Sequence, residues 1–134
     1  KLADFGSATT DALWCHDSAD VSRAQADIER FTTLAYRAPE MIDLWQRNRV
    51  DQKVDVWAIG VMLYYLMYFK MPFDETNLAI LAGQYAFPTT PEYSGLLTDA
   101  VRLCLVQDPE KRWTVFDMIE HMVLTRAGWL IAIS

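Results

Sequence analysis

Residues 54–69, VDVWAIGVMLYYLMYF, form an apolar run interrupted by a single charge, Asp55. Wound at 3.6 residues per turn, this run is apolar on nearly every face and must be surrounded by protein. It is shorter than the roughly 20 residues a bilayer needs, and Asp55 would lie inside it. A chain with this run is expected to fold around a central buried helix. Pro72 sets the end of that helix, because it disfavours helical geometry at Met71 and has no N–H to donate.

What surrounds the helix is read from the rest of the chain. The 134 residues fit one domain and are 52% hydrophobic with five Trp, six Tyr and six Phe, which excludes a disordered chain. So apolar a composition fits a segment of a larger domain whose other half covers surfaces left open here. The net charge of −6 and the absence of a Lys/Arg cluster exclude a nucleic-acid partner. Cys15 and Cys104 show no paired spacing, and Cys15-His16 lacks the second pair a tetrahedral metal site needs.

From Gly6 to about Thr33 the sequence is polar and reads as a long loop, with a short helix near Ser22 to Phe31. Connections of that length inside a domain are usually functional. A short amphipathic helix is expected in AYRAPEMIDLWQRNR, with Pro39 in its first turn and Met41, Ile42 and Trp45 at helical spacing. Further helices are expected from Glu75 to Gly83, Glu92 to Val106 and Thr114 to about Thr125. Thr114 caps the last of these, with Asp117 three positions on.

Four short motifs stand in order: Asp4-Phe5-Gly6, Ala38-Pro39-Glu40, Asp55-Val56-Trp57-Ala58-Ile59-Gly60, and Asp108-Pro109 followed by Arg112. Each is weak alone. Together, with a long polar segment between the first two, they resemble the second half of a protein kinase domain. The resemblance implies a mainly α fold, the helical C-lobe of a kinase, as a partial domain over 1–125. Its activation segment would be 4–40 and its lobe of about five helices 41–125, with 126–134 as a tail.

The same resemblance assigns roles. Asp4 would hold Mg²⁺ against the phosphates of ATP, Phe5 would pack into the interior, and Gly6 would let the segment move. Thr32 and Thr33 belong to the activation segment, and Thr33 and Tyr36 would help dock a Ser/Thr substrate. Glu40 and Arg112 would form an ion pair fastening the segment to the helical core. Asp55 would bond the catalytic-loop backbone, since an acid in so apolar a helix needs a partner. Trp57 and Gly60 would be structural.

KLADFGSATT and TTLAYRAPEMIDLWQRNRVDQKVDVWAIGVMLYYL are similar to the Numb-associated kinases, including the insertion MIDLWQRNRV, although Met71 stands where that family tends to have histidine. That likeness implies phosphorylation of clathrin adaptor subunits in the cytoplasm or at the periphery of endocytic vesicles, without membrane insertion. A glycine-rich loop, a strand lysine, its glutamate partner and a His-Arg-Asp catalytic loop would precede Asp4. The chain by itself is therefore expected to lack kinase activity. A second reading is a pseudokinase or scaffolding module, with Trp14, Trp45 and Trp129 as candidate contact residues. A third is an unrelated helical domain with coincidental motifs.

Overall fold

The computed structural model describes residue 3, residues 5–46 and residues 49–122. These are mainly helical, with a single antiparallel β-bridge, Leu13 to Val50. The central helix, α3, spans Lys53–Tyr68. Asp51 turns the chain into it by accepting the Lys53 N–H at 2.9 Å. Phe69 ends it in the left-handed region at φ 53°, its N–H bonded to the Tyr65 carbonyl at 2.7 Å. Pro72 follows and stops the helix from resuming.

One face of α3 forms the core. Val56, Trp57, Gly60, Val61, Tyr64 and Met67 are buried there, facing the helix α5 (Gly95–Cys104) and the 3-10 turn Leu34–Tyr36. Gly60 permits the close approach of α5, because a Cβ at this position would lie 2.7 Å from Cys104 Cβ. Tyr64 and Tyr93 donate to the carbonyls of Ala86 (2.8 Å) and Met67 (2.6 Å), tying the aromatic stretch from Tyr85 to Tyr93 to the central helix. The opposite face is open: Met62, Tyr65, Leu66 and Phe69 are exposed. The described elements that pack on α3 cover one side of it.

Three outer elements differ from their sequence reading. Helix α1 spans Ser18–Phe31, so much of the expected loop is helical. Its start is set by Asp17, which accepts the Asp20 N–H at 2.9 Å. The helix is held by Val21, Ala24 and Ile28, which join Cys15, Leu44 and Val50 in a second, smaller core. Helix α2 is a single turn, Pro39–Ile42, because the Asp43 carboxylate bonds the Trp45 N–H (3.2 Å) and turns the chain into a 3-10 segment, Leu44–Gln46. Leu44 is buried and Trp45 is 66% exposed, so the amphipathic face expected through Trp45 does not form. Helix α4 is Asn77–Ala82, shorter than expected, capped by Thr76 and ended by Gly83 at φ 64°.

The last described helix begins at residue 115; the remainder of its expected span, and Trp129, lie outside the described residues. Its cap is reciprocal: Thr114 Oγ1 accepts the Asp117 N–H (3.2 Å), and Asp117 Oδ2 accepts the Thr114 N–H and hydroxyl (2.7 Å each). The Thr114 backbone N–H, then its hydroxyl, hold the Asp117 carboxyl below its ordinary range. Thr114→Ala is expected to cost about 1 kcal/mol, read by denaturant unfolding. A carboxyl whose pKa is lower folded than unfolded stabilises above the unfolded value, and this contribution is lost as pH falls through the folded value. Asp117→Asn should therefore flatten the acid limb of a stability-against-pH curve.

Candidate functional site

The segment from Phe5 to Glu40 carries most of the candidate residues and is tied down at successive points. A turn closes at its start, with the Ala8 N–H on the Phe5 carbonyl at 3.1 Å and Gly6 within the turn. Leu13 and Val50 then exchange backbone bonds of 2.9 and 3.1 Å. Beyond them α1 packs into the smaller core, Thr32 ends the helix, and residues 34–36 form a tight turn leading to Ala38, which has no exposed surface.

The segment is fastened to the helical core by Glu40 and Arg112. Both side chains are essentially fully buried, and the guanidinium faces the carboxylate with two bonds, Nη1 to Oε1 at 2.6 Å and Nη2 to Oε2 at 2.9 Å. The rest of the fork is also engaged. Arg112 Nε donates to the Val106 carbonyl (2.9 Å), Nη1 to the Lys53 carbonyl (3.0 Å) and Nη2 to the Gln107 carbonyl (3.3 Å). An arginine has five N–H donors, so none is left unmade. A buried charge survives only when it is paired and hydrogen-bonded in this way. The Arg112 guanidinium also lies 5.0 Å from the centre of the Trp57 ring, whose other neighbour, Phe73, stacks at 5.5 Å.

Lys53 reinforces the same corner by donating from Nζ to the Pro109 carbonyl at 2.7 Å. Asp108 accepts the Glu110 N–H (3.0 Å) and pairs with Lys111 (3.1 Å); the Lys111 bond above all holds its carboxyl below the ordinary range. Burial pushes the Cys104 thiol, on the far side of Gly60, up to about 11. It is a packing residue rather than a nucleophile.

The remaining candidates divide sharply. Asp4 lies outside the described residues. Phe5 is 68% exposed, and none of the described elements covers the turn on which it sits. Asp55 is exposed in the first turn of α3, where a carboxylate faces the positive end of the helix dipole. Among the described residues its side chain makes no hydrogen bond. Thr33 and Tyr36 are exposed on the turn before Ala38, while Thr32 is half-buried. Trp57 and Gly60 lie in the core.

Sequence reasoning overlooked Arg37, whose Nε and Nη2 donate to the Thr32 hydroxyl (2.8 Å) and carbonyl (3.0 Å). It also overlooked the Leu13 to Val50 bridge. Val50 stands alone among polar residues, but Leu13 lies within the apolar stretch Ala12 to Cys15, so no paired signal marked the bridge.

A segment held by a buried Glu-Arg pair against a central helix, with a short exposed turn beside it, is the arrangement of a kinase helical lobe. The chain belongs to the protein kinase domain family, whose model matches residues 1–124. It is 42% identical over 123 residues to Actin-regulating kinase 1 of Saccharomyces cerevisiae, covering 91% of this chain and 19% of that protein. To Serine/threonine-protein kinase sel-5 of Caenorhabditis elegans it is 38% identical over 115 residues, covering 86% of this chain and 11% of that protein. A probable serine/threonine-protein kinase of Dictyostelium discoideum is 38% identical over 122 residues, covering 91% and 15%. The chain thus spans only a fifth or less of the length of these relatives. No helix among the described residues is long and apolar enough to cross a membrane.

Proposed function

We propose that the protein to which this chain belongs transfers the γ-phosphate of ATP to serine or threonine of protein substrates, and that this chain supplies its activation segment and helical lobe. The observation that carries the reading is the buried Glu40 to Arg112 pair, which joins the end of the segment to the core across 72 positions of sequence. Phosphoryl transfer depends on positioning and charge neutralisation, and a fastened segment serves the first. Thr33 and Tyr36, exposed on the turn before Ala38, would meet the substrate.

Among the described residues no three His, Cys, Asp or Glu side chains gather into a metal site. Mg²⁺ in a kinase is held by one or two carboxylates together with substrate phosphates rather than by a protein cage. Asp4 would be the carboxylate of this chain that holds it, and the ion would neutralise phosphate charge.

The finer reading is a Numb-associated kinase acting on clathrin adaptor subunits in the cytoplasm or at endocytic vesicles. It is supported by the insertion MIDLWQRNRV, whose Leu44 and Val50 complete the core under α1. Two relatives are called actin-regulating kinases. The chain in isolation would have no activity. The scaffolding alternative is favoured by the exposed Trp14 and Trp45. Phosphotransfer from labelled ATP by the full-length protein, scored as phosphoserine and phosphothreonine against phosphotyrosine, separates these readings. Label on serine or threonine supports the kinase; adaptor binding without any transfer supports the scaffold.

A further inference from the structure

We infer that Arg37 is a positioning residue for the protein substrate, holding the turn 33–36 in place by clasping Thr32. The inference rests on the reading of Thr33 and Tyr36 as docking residues. Its basis is the way the turn is mounted. On its C-terminal side Ala38, Pro39 and Glu40 are buried and Glu40 is locked to Arg112, while Leu34 packs on the main core. On its N-terminal side Thr32 ends α1, which belongs to the smaller core of Val21, Ala24, Ile28, Leu44 and Val50. The turn is therefore a joint between two core clusters, which meet at the side chains of Met41 and Val54.

Arg37 spans that joint. Its Nε donates to Thr32 Oγ1 at 2.8 Å and its Nη2 to the Thr32 carbonyl at 3.0 Å, while the Thr32 hydroxyl and N–H both donate to the Ile28 carbonyl. The grip on Thr32 is thereby passed to the last turn of α1. Among the described residues no carboxylate pairs with Arg37, so its guanidinium is spent on a hydroxyl and a carbonyl rather than on charge balance. Between the two ends, among the described residues, the turn is closed by the Tyr36 N–H on the Thr33 carbonyl and the Arg37 N–H on the Leu34 carbonyl, 3.0 Å each. A planar fork can hold two acceptors in fixed directions; a lysine ammonium cannot reproduce that geometry.

The test uses the full-length protein with ATP, Mg²⁺ and a serine/threonine peptide. Arg37→Ala is expected to raise the peptide KM about tenfold while kcat and the KM for ATP stay within about twofold. Arg37→Lys should recover little of the loss. Thr32→Val should act in the same direction, and Arg37→Ala combined with Thr32→Val should be no worse than Arg37→Ala alone, as for two members of one contact. Hydrogen exchange gives a readout independent of turnover: in Arg37→Ala the Tyr36 and Arg37 amides should exchange faster while the amides of α3 do not change.

An active wild type whose peptide KM is unmoved by Arg37→Ala, or in which kcat and the ATP KM shift equally, overturns the positioning role. Unchanged exchange at Tyr36 and Arg37 overturns the clasp itself. A wild type that transfers no phosphate defeats the functional reading, and with it the docking role, while the exchange measurement still decides whether Arg37 orders the turn.

Discussion

Arg112→Ala should destabilise the domain by about 3–5 kcal/mol, the range for breaking a buried ion pair from one side. The loss has two sources. The Glu40 carboxylate would be left buried without its cation, and the carbonyls of Val106, Lys53 and Gln107 would lose their donor together. Glu40→Ala should cost less than Arg112→Ala, because the guanidinium would keep those three carbonyls. Arg112→Lys should restore only a small part of the stability, since an ammonium cannot make two parallel bonds to the carboxylate and still reach three carbonyls. Denaturant unfolding of the domain carrying each variant checks the order. Equal losses for Glu40→Ala and Arg112→Ala would mean that the carbonyl contacts contribute nothing.

Trp57→Ala should be comparably severe, at about 3–5 kcal/mol for removal of a buried aromatic side chain. Trp57 has no exposed surface and separates Phe73, stacked at 5.5 Å, from the Arg112 guanidinium at 5.0 Å. Its loss would open a cavity beside the ion pair and weaken the pair's isolation from water. Trp57→Phe should be much milder. Among the described residues the Trp57 Nε1–H has no hydrogen-bond partner, so the replacement discards volume but no bond. If Trp57→Phe proved as damaging as Trp57→Ala, the indole N–H would carry weight that this packing does not assign to it.

The central helix was legible because its apolar run and Pro72 are local signals that leave few alternatives. The cap of the last helix was legible for the same reason, as Thr114 and Asp117 are three positions apart. Helix α1 was only half visible. Its buried stripe depends on Ala24 between Val21 and Ile28, and so small a side chain hardly stands out from the polar residues around it.

The Glu40 to Arg112 contact spans 72 positions, and no local pattern encodes it; the order of motifs brought those residues into consideration. Arg37 escaped notice because its acceptors are a hydroxyl and a carbonyl, which carry no charge signal in sequence. The readings of Phe5 and Asp55 each name a covering partner, and the described elements leave the turn at Phe5 and the first turn of α3 open to water.

The most direct test of the kinase reading is phosphotransfer by the full-length protein with Asp4 intact and with Asp4→Asn. With ATP and Mg²⁺, the wild type should place phosphate on serine or threonine of a protein substrate. Asp4→Asn, with the same unfolding transition, should lower kcat by at least about a hundredfold if Asp4 is the carboxylate that holds Mg²⁺ against the phosphates, as proposed. A wild type that transfers nothing, or an Asp4→Asn protein as active as the wild type, would contradict the assignment.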